Sequence, residues 1–139
     1  MFGARGETPV IERMMPYLLV GFGSFVGGNA RFILARWVGG VVEGHFPLGT
    51  FLINVGGSFV LGLLGAILAQ RTVPDADALR LAIGVGFCGG FTTFSTFEFE
   101  THALFEDGAW LTAVTNMFLS LFVGLVAVRL GVVAAKSWF

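Results

Sequence analysis

The chain has 139 residues, 55% of them hydrophobic and 12% charged, with a formal net charge of −1 and a mean hydropathy of +0.85. A water-soluble domain of this size is about a quarter charged, so the composition excludes one and makes a lipid bilayer the solvent. Near-neutrality gives no sign of a nucleic-acid partner, and Cys88, the only cysteine, excludes an intrachain disulfide and reads as a small packing residue.

Residues 1–13 carry Arg5, Glu7, Glu12 and Arg13 without a separate apolar core or a small-residue cleavage site, and read as a short tail rather than a signal peptide. A membrane span needs about 20 mostly apolar residues. Four segments qualify, at about 15–38, 48–69, 79–104 and 109–134. Between them lie turn and polar signals: Gly39-Gly40 through Pro47, Arg71 to Asp77, and Glu106-Asp107-Gly108. The prediction is one all-α membrane domain spanning residues 1–139, with no room for a second unit.

Lys and Arg near span ends set orientation. Arg5, Arg13, Arg71, Arg80, Arg129 and Lys136 share the face of both termini, against Arg36 and the more deeply placed Arg31 on the other. That bias predicts both termini in the cytoplasm. Gly23-xxx-Gly27 and Ser58-xxx-Gly62 offer close-packing faces, either within one subunit or between two. Four short spans do not easily enclose a pathway alone, which favours an oligomer.

The third span is different in kind. Gly86-Phe87-Cys88-Gly89-Gly90-Phe91-Thr92-Thr93-Phe94-Ser95-Thr96-Phe97-Glu98-Phe99 places poor helix formers and four hydroxyls at membrane depth. A break is expected over residues 89–93. It is either a simple kink or an ion site, since opened helices expose carbonyls to cations and amino-terminal ends to anions. Phe94 and Phe97 share a face after the break, and Phe91 is expected to extend the row. Phenyl edges are positive and meet a small anion without a fixed charge, though such a stripe also serves as packing. Ser95 and Thr96 add hydroxyl donors, and Asn54 in span two is either an interhelical hydrogen bonder or a ligand. Glu98 and Glu100 close the span, with interface solvation or a Glu98–His102 pair as their simplest roles. His45 and His102 are isolated, and no nucleophile–base pair suggests an enzyme.

These residues resemble the fluoride channels of the Fluc family, also called CrcB proteins. The resemblance covers nearly the whole chain. It rests on Gly27-Gly28-Asn29-Ala30-Arg31-Phe32, on Gly49-Thr50-x-x-x-Asn54-x-x-Gly57-Ser58, and on the run from Gly86 to Phe97. It implies an antiparallel, dual-topology dimer of four-span subunits in a bacterial or archaeal cytoplasmic membrane. Two narrow pathways would carry toxic fluoride out passively. It also implies that Asn54 donates to fluoride, that Phe94 and Phe97 present ring edges, and that Ser95, Thr96, Glu100 and Ser120 form a polar track. Arg31 would stand near a pore mouth, and the carbonyls of Gly89 and Thr92 would hold a structural sodium ion on the dimer axis.

Two features depart from the family pattern. Asn116 stands in Ala113-x-x-Asn116-x-x-x-Ser120 where tyrosine is expected, and keeps a hydrogen-bonding group on the pathway. The six-to-two charge bias also exceeds the near balance that dual insertion needs. A homodimer is preferred over a heterodimer with a paralogue. The alternatives are a small proton-coupled multidrug exporter and a non-conducting assembly subunit. The exporter class needs a carboxylate in its first span, and residues 15–38 contain none.

Overall fold

The computed structural model describes residues 9–70 and 72–137 of the chain, apart from the Gln70 side chain. Arg5, Glu7 and Arg71, counted above, lie outside the described residues.

Four helical spans run through the chain in sequence order. Helix α1 (Val10–Val41) starts just after Pro9, so the last four residues expected to form a tail, 10–13, are its first turn. At about 1.5 Å per residue its 32 residues exceed a bilayer core. Helix α2 is Leu48–Gln70. Helix α3 (residues 76–91) begins as Ala76–Leu79, widens into a π-helical stretch at Arg80–Cys88 and tightens again at Gly89–Phe91. Helix α4 (Phe94–Glu106) continues the third span after a two-residue interruption, and α5 is Trp110–Ser137. The segments Val10–Val41, Leu48–Ala69, Ala76–Glu106 and Trp110–Ser137 are each long and apolar enough to cross a membrane.

The turn between α4 and α5 follows from its sequence. Gly108 takes φ +74°, a conformation that a side chain disfavours. The Ala109 N–H donates to the Leu104 carbonyl at 2.8 Å and the Gly108 N–H to Phe105 at 3.1 Å, closing the helix end.

Helices pair in two couples, α1 with α3 and α2 with α5, and α4 packs along α5. Lipid tails are as apolar as leucine, so close backbone contact rather than expulsion of water holds such pairs. Glycine makes that contact possible. A Cβ on Gly23 would strike the Ala82 carbonyl, and one on Gly27 the Phe87 carbonyl. From the other side, a Cβ on Gly90 would lie 2.7 Å from the Ser24 carbonyl oxygen. The Ser24 hydroxyl also donates to the Gly86 carbonyl at 3.3 Å. In the second couple Gly62 meets the Val128 carbonyl and Gly131 the Phe59 carbonyl. Gly23, Gly27 and Gly62 therefore pack within the subunit.

Candidate functional site

The interruption of the third span falls later than the glycine pair suggests. Gly89 is helical, at φ −64° and ψ −38°, and the helix persists through Phe91. The chain extends at Thr92 (φ −79°, ψ 159°) and Thr93 (φ −151°, ψ 110°). Glycine's freedom is not used at Gly90, whose role is contact with Ser24. Instead, the β-branched threonines adopt the extended conformation that they favour. The expected break at 89–93 is thus corrected to 92–93.

An open helix in a membrane needs partners for the backbone groups it frees. Here side chains from two other helices supply them. The Asn54 Nδ2 donates to the Thr93 carbonyl at 3.1 Å, and the Thr93 N–H donates to Asn54 Oδ1 at 2.8 Å. Arg31 donates from its guanidinium to the Thr92 carbonyl at 3.3 Å. Thr92 itself closes α3, its N–H and hydroxyl both donating to the Cys88 carbonyl at 2.9 and 2.8 Å. Thr93 then opens α4: its Oγ1 accepts from the Thr96 N–H at 3.3 Å and donates to Thr96 Oγ1 at 2.8 Å. The break is a stapled structure with α1 and α2 as its arms.

A cleft of about 380 Å³ lies beside this break, with Asn54, Ser58, Gly89, Thr92, Phe94, Phe97 and Ser120 on its walls. Among the described residues, no charged side chain lines it. The pairing with Thr93 uses one of the two Asn54 amide protons and fixes which end of the amide is the donor. The second proton remains for a ligand in the cleft. Phe94 and Phe97 lie together, ring centroids 5.8 Å apart and planes tilted by 40°. Phe94 is 70% exposed and Phe97 half-buried. Phe91 does not extend their row as expected. It stacks on Phe87 at 5.4 Å and packs over Gly56 and Gly57, because it belongs to α3 rather than α4.

The remaining candidates fall elsewhere. Ser95 and Thr96 are exposed and off the cleft wall. Arg31 sits at the break. Glu100 lines a separate cavity of about 500 Å³ near the α1–α2 loop, together with Thr50 and Glu43. Glu98 and His102 are exposed, and among the described residues the ion pair seen is Arg80–Asp77 at 3.4 Å. Asn116 is 1% exposed and stands behind Ser120 rather than on the cleft. Its Nδ2 donates to Thr101 Oγ1 at 2.8 Å, and the Ser120 hydroxyl donates to its Oδ1 at 3.2 Å. Sequence reasoning missed Thr101, and gave Thr50 and Thr93 no role of their own beyond the motif and the break. Two of these carried a usable spacing: Thr50 is one turn before Asn54 and Thr101 one turn after Phe97.

The profile of the family described as CrcB-like protein, Camphor Resistance (CrcB) matches residues 18–132. The chain belongs to the CrcB family. Its CrcB relatives include the fluoride-specific ion channel FluC 2 of Moorella thermoacetica, 45% identical over 125 residues, which are 90% of this chain and all of the relative. The fluoride-specific ion channel FluC of Pelobacter propionicus is 43% identical over 80% of this chain and 85% of its own length. That of Trichlorobacter lovleyi is 40% identical over 80% of this chain and 88% of its own length. The profile takes in both arms of the staple, the break and the cleft walls, so the site lies in the part of the chain that is CrcB-like.

Proposed function

We propose that this chain is a passive, fluoride-selective channel of the cell membrane, and not an enzyme. The observation that carries the reading is the uncharged cleft at the Thr92–Thr93 break, where an oriented amide, a serine hydroxyl and two phenyl rings converge. Fluoride is small and strongly hydrated, so a pathway must replace water with donors at short range. Asn54 supplies an N–H, Ser120 a hydroxyl, and Phe94 and Phe97 positive ring edges. None of these carries a full charge that would hold the anion in place. The break also puts the amino-terminal end of α4, with its partial positive charge, at the same level. Relatives named as fluoride-specific ion channels support the same substrate.

The functional unit in this reading is an antiparallel homodimer. Asn29, Ser95, Thr96 and Gly89 are exposed on the single subunit although they lie within spans. Polar groups at that depth face protein or water rather than lipid. A second copy would cover them and close the open side of the cleft. The fluoride track in this reading runs through Asn54, Phe94, Phe97 and Ser120, with Glu100 beside a separate vestibule and Arg31 at the break.

A structural sodium ion on the dimer axis fits the donors at hand. Thr93 gives its N–H to Asn54, which withdraws it from the Gly89 carbonyl four residues earlier. Gly89 and Thr92 therefore offer neutral, hard oxygens of the kind that sodium takes, although Arg31 already donates to one of them. The Gly89 and Thr92 carbonyls would hold the ion, which would supply positive charge beside the break.

The experiment is anion efflux from vesicles containing the purified protein. Rapid fluoride loss without a proton gradient, with little loss of chloride, is the expected result. Efflux that needs a proton gradient would replace the channel with an exporter, and no efflux would leave an assembly subunit.

A further inference from the structure

Behind the cleft wall runs a chain of side-chain hydrogen bonds that no pathway residue explains by itself. Thr101 Oγ1 donates to the Phe97 carbonyl at 2.7 Å, and accepts from Asn116 Nδ2 at 2.8 Å. Asn116 Oδ1 accepts from the Ser120 hydroxyl at 3.2 Å. Thr101 is 6% exposed and Asn116 1%, whereas Ser120 stands on the cleft. The geometry points to Asn116 as a positioning residue: it holds the Ser120 hydroxyl where an anion in the cleft can accept its hydrogen bond, and Thr101 holds Asn116. This inference rests on the proposed fluoride pathway and assigns a role that the pathway alone does not require.

A helical serine without such a neighbour finds its acceptor in its own backbone. Its hydroxyl donates back to the carbonyl one turn earlier, as Thr101 does to Phe97. A proton held there in a short bond is withdrawn from the cleft. Asn116 Oδ1 offers another acceptor at the same height on α5, and the bond to it is the longest of the three. A charge-assisted bond to an anion is about twice as strong as one between neutral groups, so an anion in the cleft wins that hydrogen bond. The order of the links matters. With its nitrogen engaged by Thr101, the Asn116 amide keeps its oxygen turned to Ser120, whereas a flipped amide would present a donor to the serine instead.

Fluoride efflux by the full-length protein in vesicles tests this, with the half-saturating fluoride concentration as the readout. The variants are Asn116→Leu, Thr101→Val, Ser120→Ala and the doubles that carry Ser120→Ala. Asn116→Leu and Thr101→Val are each expected to raise that concentration about threefold to tenfold, the worth of one hydrogen bond. Neither is expected to change it further in the Ser120→Ala background. Thr101 lies out of reach of the cleft, and a purely structural defect would persist without Ser120. Equal shifts with and without Ser120, or no shift in both single variants, would overturn the inference while leaving the channel reading intact. If Asn116→Leu does not fold, Thr101→Val decides alone. Wild-type protein that passes no fluoride would remove the channel reading and this inference with it.

Discussion

The two halves of the third span solve opposite problems. Helix α3 is rich in glycine and wound wide, yet it is unbroken through Phe91 because α1 packs against its backbone at Gly86 and Gly90. Helix α4 carries phenylalanines and hydroxyls and leaves Phe94, Ser95, Thr96 and Phe99 exposed. Poor helix propensity alone does not open a helix in a membrane. Propensity differs by about 1 kcal/mol at a glycine, and packing of the neighbouring helix outweighs it. What opens this one is a supply of partners: Arg31 and Asn54 take the backbone groups of Thr92 and Thr93 that a continuous helix would have satisfied itself.

The largest effect is expected on the packed half. In Gly27→Val the new side chain meets the Phe87 carbonyl, a backbone atom that cannot give way. Overpacking costs about 1–3 kcal/mol, and this case lies at the top of that range. Thermal unfolding in detergent is expected to show a large loss, whereas Gly21→Ala, with open space around it, is expected to hold or gain stability. Equal behaviour of the two variants would remove the glycine seam from the account.

Asn54→Asp strikes the joint between the halves. A carboxylate keeps an acceptor for the Thr93 N–H, loses the donor to the Thr93 carbonyl and puts negative charge on the cleft. Losing a donor to a charged ligand predicts fluoride efflux slower by about tenfold to a hundredfold, measured in vesicles of matched protein content. On the exposed half, Phe94→Ile and Phe97→Ile keep apolar bulk and remove the positive ring edge. Each is expected to slow efflux about threefold to tenfold, and unchanged rates in both would reduce the rings to packing. The smallest effect belongs to Thr93→Ala. It removes the cap on the Thr96 N–H, and a lost cap costs about 1 kcal/mol, read as a modest drop in unfolding temperature.

Much of the fold was legible in the sequence, because hydrophobic run length and turn residues are local properties. Four spans and the Glu106-Asp107-Gly108 turn follow from run length and turn chemistry, although α1 begins at Val10, among residues read as a tail. The break was legible as a region but not as a position, since glycine signals freedom and not its use. Only the approach of Ser24 to Gly90 shows that this glycine serves contact. The staple was not legible at all. Arg31 and Thr92 are 61 residues apart, and Asn54 and Thr93 are 39 apart, so neither pairing leaves a trace in local spacing. Asn116 is instructive in the same way. On sequence it stood among the pathway residues, and its neighbours in space place it behind Ser120.

The central claim is that the cleft beside the Thr92–Thr93 break conducts fluoride, and that this chain alone suffices to build it. Fluoride efflux from vesicles holding only this protein tests both parts at once. Rapid fluoride loss is expected, slowed about tenfold to a hundredfold by Asn54→Asp and retained by Gly21→Ala. Efflux that persists unchanged in Asn54→Asp, or that is absent until a second protein is added, would contradict it.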